Sequence, residues 1–399
     1  MSTSQAAPAS VSPRKVCVVT GSRAEYGLLA PVMAALAAAP DFELQVVAAA
    51  MHLSPEFGLT VRAVEADGFP VHARVEMLLS SDTAVGASKS LGLGVMGFAE
   101  AFDRLAPDLV LVLGDRYEIL AAAQAALLAR IPLGHIAGGD VTEGAVDESI
   151  RHAMTKMAHL HFATNAAAAR RICQLGENPA HVFVTGSPGI DALLAMVPLS
   201  REELGARFGL AFYPRNLLVT FHPETLAAIP AADQLAELLA ALDALGPRTG
   251  LFFTLPNADV EGRGLAAMVE DFCRERNHAK AFASLGQRNY LSLMRQVDAV
   301  VGNSSSGLYE APSLKKPTVD IGDRQKGRLA CASVVHCPAE RAAIGQAIAR
   351  ALALDCAHVT NPYGEGTAAG KIVAALRGVG DFRRLLRKPF FEMPGEEHA

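Results

Sequence analysis

Short apolar runs rich in β-branched residues alternate with longer segments of helical periodicity along most of this chain. The runs lie at 16–20, 44–50, 109–113, 131–136, 161–163 and 182–185, and then at 217–221, 251–254, 299–301, 318–321 and 333–336. Runs this short and this apolar are typical of strands buried on both faces of a parallel sheet. Strands that alternate with helices form βαβ units, so the pattern predicts an α/β protein.

A polar passage bounded by prolines, residues 197–216, separates the two series of strands. We therefore expect two Rossmann-like doubly wound parallel-sheet domains that face each other across a cleft. The predicted boundaries are a disordered tail at 1–14, an N-terminal domain at 15–196, a C-terminal domain at 197–370, and a C-terminal helix and tail at 371–399 that crosses back to the N-terminal domain.

Charged and polar residues follow two of the predicted strands directly. Asp115 and Arg116 come after the run 109–113, while the run 131–136 contains His135 and leads through paired glycines to Asp140. Ligands of open α/β sheets bind just beyond the carboxyl ends of strands. These residues therefore indicate an active site at one rim of the first sheet.

Two loops carry groups that suit an anion. Residues 21–27, expected to precede a helix that starts near Leu28, contain Arg23, which could hold a diphosphate; the alternative is a surface arginine that stabilises a turn. Residues 302–310 offer backbone N–H groups and hydroxyls at a helix start, and the alternative there is a serine-rich N-cap with Glu310 completing a capping box. The residues concerned are Asn303, Ser304, Ser305, Ser306 and Gly307.

Two further loops have an ordinary structural explanation beside the functional one. The segment 323–328 contains Arg324, Lys326 and Arg328, which are either anion-binding cations or a solvated run of charge. His222 ends a strand and is held before Pro223, but a lone histidine is more often structural.

Composition narrows the class of protein. With 51% hydrophobic residues, 19% charged residues and a net charge of −5, the chain has no basic excess for nucleic acid or an anionic membrane. The six cysteines lie far apart and favour reduced thiols in the cytoplasm, and the first 13 residues lack the features of a signal peptide. We expect a cytoplasmic protein.

Two motif matches are rejected. Gly92–Gly97 has the letters G-x-G-x-x-G but lies in a helix-like pattern, so it does not indicate a dinucleotide site. His159 and His161 have no third ligand spaced to join them on a metal. No cofactor and no metal are expected.

The chain resembles the hydrolysing UDP-N-acetylglucosamine 2-epimerases of the sialic-acid and legionaminic-acid pathways, which belong to the GT-B superfamily. The resemblance runs from Val16 to about Ile372. It rests on motifs that occur in this order: G-S-R-A-E-Y-G, L-G-D-R-Y-E, H-I-x-G-G-[DE], D-E-S-I-R-H, T-F-H-P, N-S-S-S-G-x-x-E and R-Q-x-G-R. It implies a GT-B fold in which 197–370 binds the nucleotide.

The resemblance also implies a reaction. Such enzymes eliminate UDP across C1 and C2 of the sugar to give a glycal, then add water at C1 and a proton at C2 from the opposite face. Carboxylates would stabilise charge at C1 and move the proton. By position in the motifs, the catalytic residues implied are Asp115 and Asp147. Glu148 either shares or supports the role of Asp147, and His222 assists the leaving group.

For the substrate, the resemblance assigns the diphosphate to Ser305, Ser306 and Gly307 and the ribose hydroxyls to Glu310. The remaining binding residues that it implies are Arg23, Arg116, His135, Asp140, Arg151, Asn303, Ser304, Arg324 and Arg328.

One position departs from the family pattern. Relatives carry a carboxylate two residues after the histidine of H-I-x-G-G, and here that residue is Ala137. Glu143 could supply the missing carboxylate, the reaction could use fewer acids, or a drier pocket could suit a 6-deoxy, 4-acetamido sugar such as UDP-N,N'-diacetylbacillosamine. The primary expectation is UDP-N-acetylglucosamine, with the bacillosamine donor as the alternative.

Two alternatives lie in other functional classes. A GT-B glycosyltransferase would share the fold and the nucleotide site, and a nucleotide-sugar sensor would bind without turnover. The expected partners are a UDP-sugar substrate and further copies of the same chain in a dimer or tetramer.

Overall fold

The computed structural model describes residues 12–81, 83–141, 146–223, 229–255, 262–283 and 285–393. Contacts divide the chain into two compact units, one formed by Met1–Ala192 with Gly366–Ala399 and the other by Leu193–Glu365. Most of the tail expected at 1–14 lies outside the described residues. Its last residue, Arg14, belongs to a strand instead.

The first unit contains a sheet in which every hydrogen-bonded strand pair is parallel. Within the described residues this sheet has seven strands in the order β3-β2-β1-β4-β5-β6-β7. The strands are β1 (Arg14–Thr20), β2 (Phe42–Ala49), β3 (Ala73–Val75), β4 (Leu109–Leu113), β5 (Leu133–Ile136), β6 (Leu160–Ala163) and β7 (Val182–Val184).

The second unit contains another parallel sheet, of six strands within the described part of the chain, in the order β10-β9-β8-β11-β12-β13. Its strands are β8 (Arg215–Thr220), β9 (Thr249–Thr254), β10 (Ala279–Phe282), β11 (Ala299–Gly302), β12 (Thr318–Ile321) and β13 (Val334–Cys337).

Helices connect the strands of both sheets. In chain order they are α1 (Arg23–Ala37), α2 (Val61–Ala66), α3 (Ala84–Leu105), α4 (Tyr117–Leu128), α5 (Val146–Met157), α6 (Ala166–Gln174), α7 (Pro188–Ala195), α8 (Arg201–Phe208), α9 (Ala231–Asp243), α10 (Gly262–Arg274), α11 (Gln287–Gln296), α12 (Ser306–Tyr309), α13 (Arg341–Leu352) and α14 (Ala368–Gly378).

The first sheet is covered on both faces. Alternate residues of β1 and β4 enter two separate apolar clusters: Val18 and Leu111 lie in one, and Cys17 and Val110 in the other. Helices α1 and α14 contribute to the first cluster, and α3 and α4 to the second. Burial on both faces explains why these strands are continuous apolar runs and not alternating ones. The expected α/β architecture of two Rossmann-like units is confirmed.

Three local expectations need correction. Helix α1 begins at Arg23 and not near Leu28, because Ser22 is its N-cap and accepts a hydrogen bond from Glu25 N at 3.4 Å. The polar passage before β8 contains α8, which starts with a capping box formed by Ser200 and Glu203. Strands β3 and β10 were missed because Arg74 and Lys280 interrupt their short apolar runs. Gly92–Gly97 does lie in a helix, α3, as expected.

The last segment of the chain is anchored to the first unit by two carboxylates. Asp191 accepts hydrogen bonds from Ala368 N at 3.0 Å and Ala369 N at 2.7 Å, at the start of α14. Glu177 is buried and pairs with Lys388 at 2.7 Å and Lys156 at 2.7 Å. These cations and His161 hold the pKa of Glu177 at about 2, although burial opposes them.

Candidate active site

A buried arginine connects the ends of β4 and β5. Arg151 of α5 is 5% exposed, and its Nε donates to Asp115 Oδ2 at 2.9 Å while a second guanidinium nitrogen contacts the same oxygen. Its Nη1 donates to the backbone oxygen of Asp140 at 2.6 Å. The guanidinium fork therefore fixes the side chain of Asp115 and the loop of Asp140 together. These contacts position Asp115, and the predicted role of Arg151 in substrate binding stays a prediction.

Asp140 is held by the end of β6. Its carboxylate oxygens accept from the hydroxyl of Thr164 at 3.0 and 3.1 Å and from Asn165 Nδ2 at 3.2 Å. Burial raises the pKa of Asp140, although these hydrogen bonds and the charge of Arg151 oppose the shift. A carboxyl of raised pKa is suited to accepting and returning a proton.

His135 supports the turn after β4. The side chain is fully buried, with Nε2 at 2.7 Å from the backbone oxygen of Gly114 and Nδ1 at 3.2 Å from the hydroxyl of Thr155. Burial lowers its pKa to about 4, so the ring is neutral near neutral pH. Both ring nitrogens lie near protein atoms, which suits a positioning role, and the predicted role of His135 in substrate binding stays a prediction.

Arg116 lies at the same rim, at the N-cap of α4. Its Nε donates to Glu118 Oε1 at 2.6 Å, and its side chain is 43% exposed whereas that of Glu118 is 1% exposed. Burial lowers the pKa of Arg116 and Glu118 raises it, with a net upward shift. The Arg116 guanidinium is thus partly exposed at the rim and is held by the buried carboxylate of Glu118.

Two further predicted catalytic acids of the first unit, Asp147 and Glu148, lie farther along the chain. Asp147 and Glu148 are in the first turn of α5, where Asp147 is exposed and Glu148 is half-buried with His152 Nε2 at 3.8 Å from its Oε1. Arg23 is exposed at the first position of α1. Glu143 lies outside the described residues.

The turn that carries Ala137 is tightly packed. Ala137 has a φ of 63° and packs against an apolar cluster, and a Cβ at Gly139 would lie 2.4 Å from the backbone oxygen of Ala168. This turn leads directly to Asp140, whose carboxylate therefore follows β5 closely in the described part of the chain.

In the second unit, Asn303 braces the end of β8. Its Oδ1 accepts from His222 N at 2.7 Å and its Nδ2 donates to His222 O at 2.9 Å. Its backbone oxygen accepts from Arg324 Nη1 at 3.0 Å and from Gln325 Nε2 at 2.7 Å. Asn303 is 1% exposed, which makes it the buried centre that joins the ends of β8, β11 and β12.

The serine loop leads into a single helical turn, α12. Ser304, Ser305 and Ser306 are partly exposed and Gly307 is buried against Thr318. Burial raises the pKa of Glu310 and that of Tyr290, whose ring lies in the same neighbourhood. This neighbourhood is built of hydroxyls and backbone amides, and burial raises the pKa of its acid.

Arg328 packs on an aromatic pair. The rings of Tyr309 and Tyr363 stack with centroids 3.8 Å apart, and the Arg328 guanidinium carbon lies 5.7 Å from the Tyr309 centroid. Arg324 is exposed. Both arginines are therefore held by contacts near the serine loop.

Several residues with a place in these clusters were missed by sequence reasoning. Glu25 and Glu118 were visible inside the motifs G-S-R-A-E-Y-G and L-G-D-R-Y-E, as acids in the first turn of a helix. Thr164, Asn165, Gln325 and Tyr290 carried no comparable signal, because single polar residues next to strands and in helices are common.

The described residues contain no group of three or more His, Cys, Asp or Glu side chains arranged to hold a metal ion. Nor does the described part of the chain include a helix with the length and apolar character needed to cross a membrane.

Comparison with known proteins identifies the family. The family model described as UDP-N-acetylglucosamine 2-epimerase matches residues 34–377. A Campylobacter jejuni protein named GDP/UDP-N,N'-diacetylbacillosamine 2-epimerase (hydrolyzing) is 40% identical over 82% of this chain and 84% of its own. The Escherichia coli polysialic acid biosynthesis protein P7 is 37% identical over 84% and 85%.

A solved structure supports the fold. The Neisseria meningitidis UDP-GlcNAc 2-epimerase bound to UDP-GlcNAc matches with a TM-score of 0.76 at 21% identity, covering 92% of this chain and all of that one. The strand order of the two sheets, the family match and these relatives agree. The chain therefore belongs to the UDP-N-acetylglucosamine 2-epimerase family and has a GT-B fold.

Proposed function

We propose that this protein is a hydrolysing 2-epimerase of UDP-linked 2-acetamido sugars, a glycosyl-hydrolase-type activity that serves nonulosonic acid synthesis. The observation that carries the proposal is the pair of acids after β4 and β5, Asp115 and Asp140. Arg151 connects the carboxylate of Asp115 to the backbone oxygen of Asp140. One is fixed by an arginine and the other has a raised pKa. Two carboxyls in different environments suit a reaction that both stabilises positive charge and moves a proton.

The proposed reaction has two halves. In the first, a carboxylate takes the proton from C2 while the C1–O bond breaks and its electron pair leaves with UDP, which gives the glycal. In the second, water adds through its oxygen to C1 and gives up a proton to a carboxylate, while a carboxyl on the opposite face donates a proton to C2. The products are the manno-configured free sugar and UDP.

We assign the acid and base work to the first unit. Asp140 exchanges the C2 proton. Burial raises the pKa of its carboxyl, which therefore holds a proton more readily than an exposed aspartate does. Asp115 stabilises the charge that develops at C1. Asp147 and Glu148 act on the opposite face, and Glu143 stays a prediction.

We assign the nucleotide to the second unit. Ser304, Ser305, Ser306 and Gly307 would hold the diphosphate through hydroxyl and backbone N–H donors, and Glu310 the ribose hydroxyls. His222, braced by Asn303, would assist the departing phosphate. Arg324 and Arg328 would add positive charge.

Two sugars remain in view for this reaction. The sequence favours UDP-N-acetylglucosamine and leaves UDP-N,N'-diacetylbacillosamine as the alternative. The relative that is 40% identical is named for the diacetylbacillosamine donor, which favours the alternative.

Proton NMR in deuterated water tests both sugars. Each UDP-sugar is incubated with the protein while the C2 and anomeric signals are followed. Free manno-configured sugar with deuterium at C2, formed with no acceptor present, supports the proposal, and the donor that turns over faster identifies the sugar. Release of UDP only in the presence of an acceptor sugar would indicate a glycosyltransferase instead.

A further inference from the structure

A lysine near the end of the chain lies against the C-terminal end of α5, the helix that carries Arg151. The Lys388 ammonium donates to the backbone oxygens of Lys156 at 2.7 Å and Ala158 at 2.5 Å. It also lies 2.7 Å from Oε2 of Glu177, so each of its three N–H donors has an acceptor. The side chain of Lys388 is only 20% exposed, which means that the charge is held within the first unit.

Two of these contacts satisfy the end of α5. The last carbonyls of a helix have no partner inside the helix, and they carry the negative end of its dipole. Lys156 is the last residue but one of α5, and Ala158 follows the helix directly. Lys388 therefore caps α5 with a positive charge, from a position 232 residues after Lys156 in the chain.

Glu177 connects this cap to α5 a second time. Its side chain is 2% exposed, and its Oε1 accepts from Lys156 Nζ at 2.7 Å while its Oε2 contacts Lys388. Lys156 Nζ also donates to the backbone oxygen of Leu175 at 3.0 Å. Because the carboxylate accepts from both lysines, Glu177 fixes the helix and the tail in one arrangement.

Aromatic residues after Lys388 fix where the tail lies. Phe391 N donates to Gly176 O at 2.9 Å, and a Cβ at Gly176 would lie 2.3 Å from the ring of Phe390. The same ring has its centroid 4.6 Å from Lys156 Nζ. Phe390 is 61% exposed, so this contact places the tail and adds little to the apolar core.

Nearer its N-terminal end, α5 holds the turn after β4 by two routes. Arg151 Nε donates to Asp115 Oδ2 at 2.9 Å. The hydroxyl of Thr155 lies 3.2 Å from Nδ1 of His135, whose Nε2 lies 2.7 Å from Gly114 O. The 12 residues of α5 make a rigid element about 18 Å long. A shift at the capped end is therefore transmitted to both contacts.

We propose that Lys388 and Glu177 are positioning residues, which cap α5 and thereby hold Arg151 where it fixes the carboxylate of Asp115. The proposal rests on the proposed function for the part that Asp115 takes in turnover. The competing explanation is a local cap, whose loss would loosen only the last turn of α5.

Hydrogen exchange of the full-length protein separates these explanations without turnover. Lys388→Met removes the donors, keeps an unbranched side chain and leaves Glu177 paired with Lys156, so the variant should fold. We expect exchange to become faster by about fivefold in peptides from both halves of α5, because the helix loses the support of its cap. Lys371→Met, at an exposed lysine of α14, is the matched control and should leave α5 unchanged.

Kinetics test the effect on the reaction. For Lys388→Met we expect kcat to fall about tenfold, while the dissociation constant of UDP, measured by calorimetry, stays within about twofold. A carboxylate that is out of place lowers turnover without removing a nucleotide contact. Added to Asp115→Asn, the same change should lower kcat by no more than about twofold, since the charge that it positions is already gone.

Faster exchange confined to the last turn of α5, with kcat unchanged, would overturn the positioning role. A full tenfold fall of kcat in the Asp115→Asn background would also overturn it, because the loss would then not pass through Asp115. If the unmodified protein turns over no UDP-sugar, the proposed function fails. The exchange comparison would still decide whether the cap extends its effect to Arg151.

Discussion

The rim of the first unit and the serine loop of the second unit are built from different chemistry. At the rim, formal charges are paired with each other: Asp115 with Arg151, and Arg116 with Glu118. Around the loop, the polar groups are mainly hydroxyls, backbone amides and the amide of Asn303, with Arg324 and Arg328 held nearby. The difference teaches that charges of opposite sign are paired where a proton is to move, whereas hydroxyl and N–H donors with positive charge nearby suit the binding of an anion.

The largest expected effect comes from removing the negative charge of Asp115 at the rim of the first unit. Asp115→Asn keeps an oxygen that can accept from Arg151 but removes the negative charge. We expect kcat to fall by about 10²- to 10⁴-fold, the usual size of such a contribution. The measurement is release of free sugar followed by NMR. UDP affinity should change little, and a kcat within tenfold of the unmodified protein would contradict the assignment.

The second prediction concerns Asn303, beside the serine loop of the second unit. Asn303→Ala removes the two hydrogen bonds to the backbone of His222, at 2.7 and 2.9 Å, which lie in a partly buried environment. We expect the free energy of unfolding to fall by about 1–3 kcal/mol, measured by urea denaturation, and UDP binding to weaken. Asn178→Ala, at a partly exposed amide of the first unit that accepts one bond from Ala180 N, is the matched control and should cost less. Equal losses of unfolding free energy in the two variants would contradict a special role for Asn303.

The third prediction separates binding from chemistry. Ser306→Ala deletes one neutral donor and should raise the dissociation constant of UDP about tenfold with little change in kcat at saturating substrate. Calorimetry and steady-state kinetics measure the two quantities. Ser88→Ala removes an exposed hydroxyl on α3 and serves as control. A fall in kcat without loss of affinity would mean that the loop takes part in the chemistry.

The smallest effect concerns the raised pKa of Asp140. The hydroxyl of Thr164 donates to this carboxylate and lowers its pKa, against the effect of burial. Thr164→Val removes that donor, so the pKa should rise further. Since Asp140 must be ionised to take a proton, the acid limb of log kcat/KM should move to higher pH, by up to about one unit. A limb that moves to lower pH would point to another base.

Sequence reasoning reached the elements and most of the candidate residues. The strand and helix pattern is local, and the acids and serines lie at strand ends that the pattern marks. It did not give contacts between residues far apart in the chain: Arg151 and His135 are buried against Asp115 and Gly114, and no local pattern marks those contacts. It also missed the first turn of α1, because the polar residues of an N-cap resemble a loop.

The sequence by itself determined the two parallel sheets, since hydrophobic periodicity along the chain sets which segments are strands and which faces are buried. Only the tertiary structure decided which charges meet. Glu25 lies near Glu118 because β1 pairs with β4, and Asp115 meets Arg151 because α5 returns to the strand ends. The order of strands in a sheet joins residues far apart in the chain, and no local pattern encodes that order.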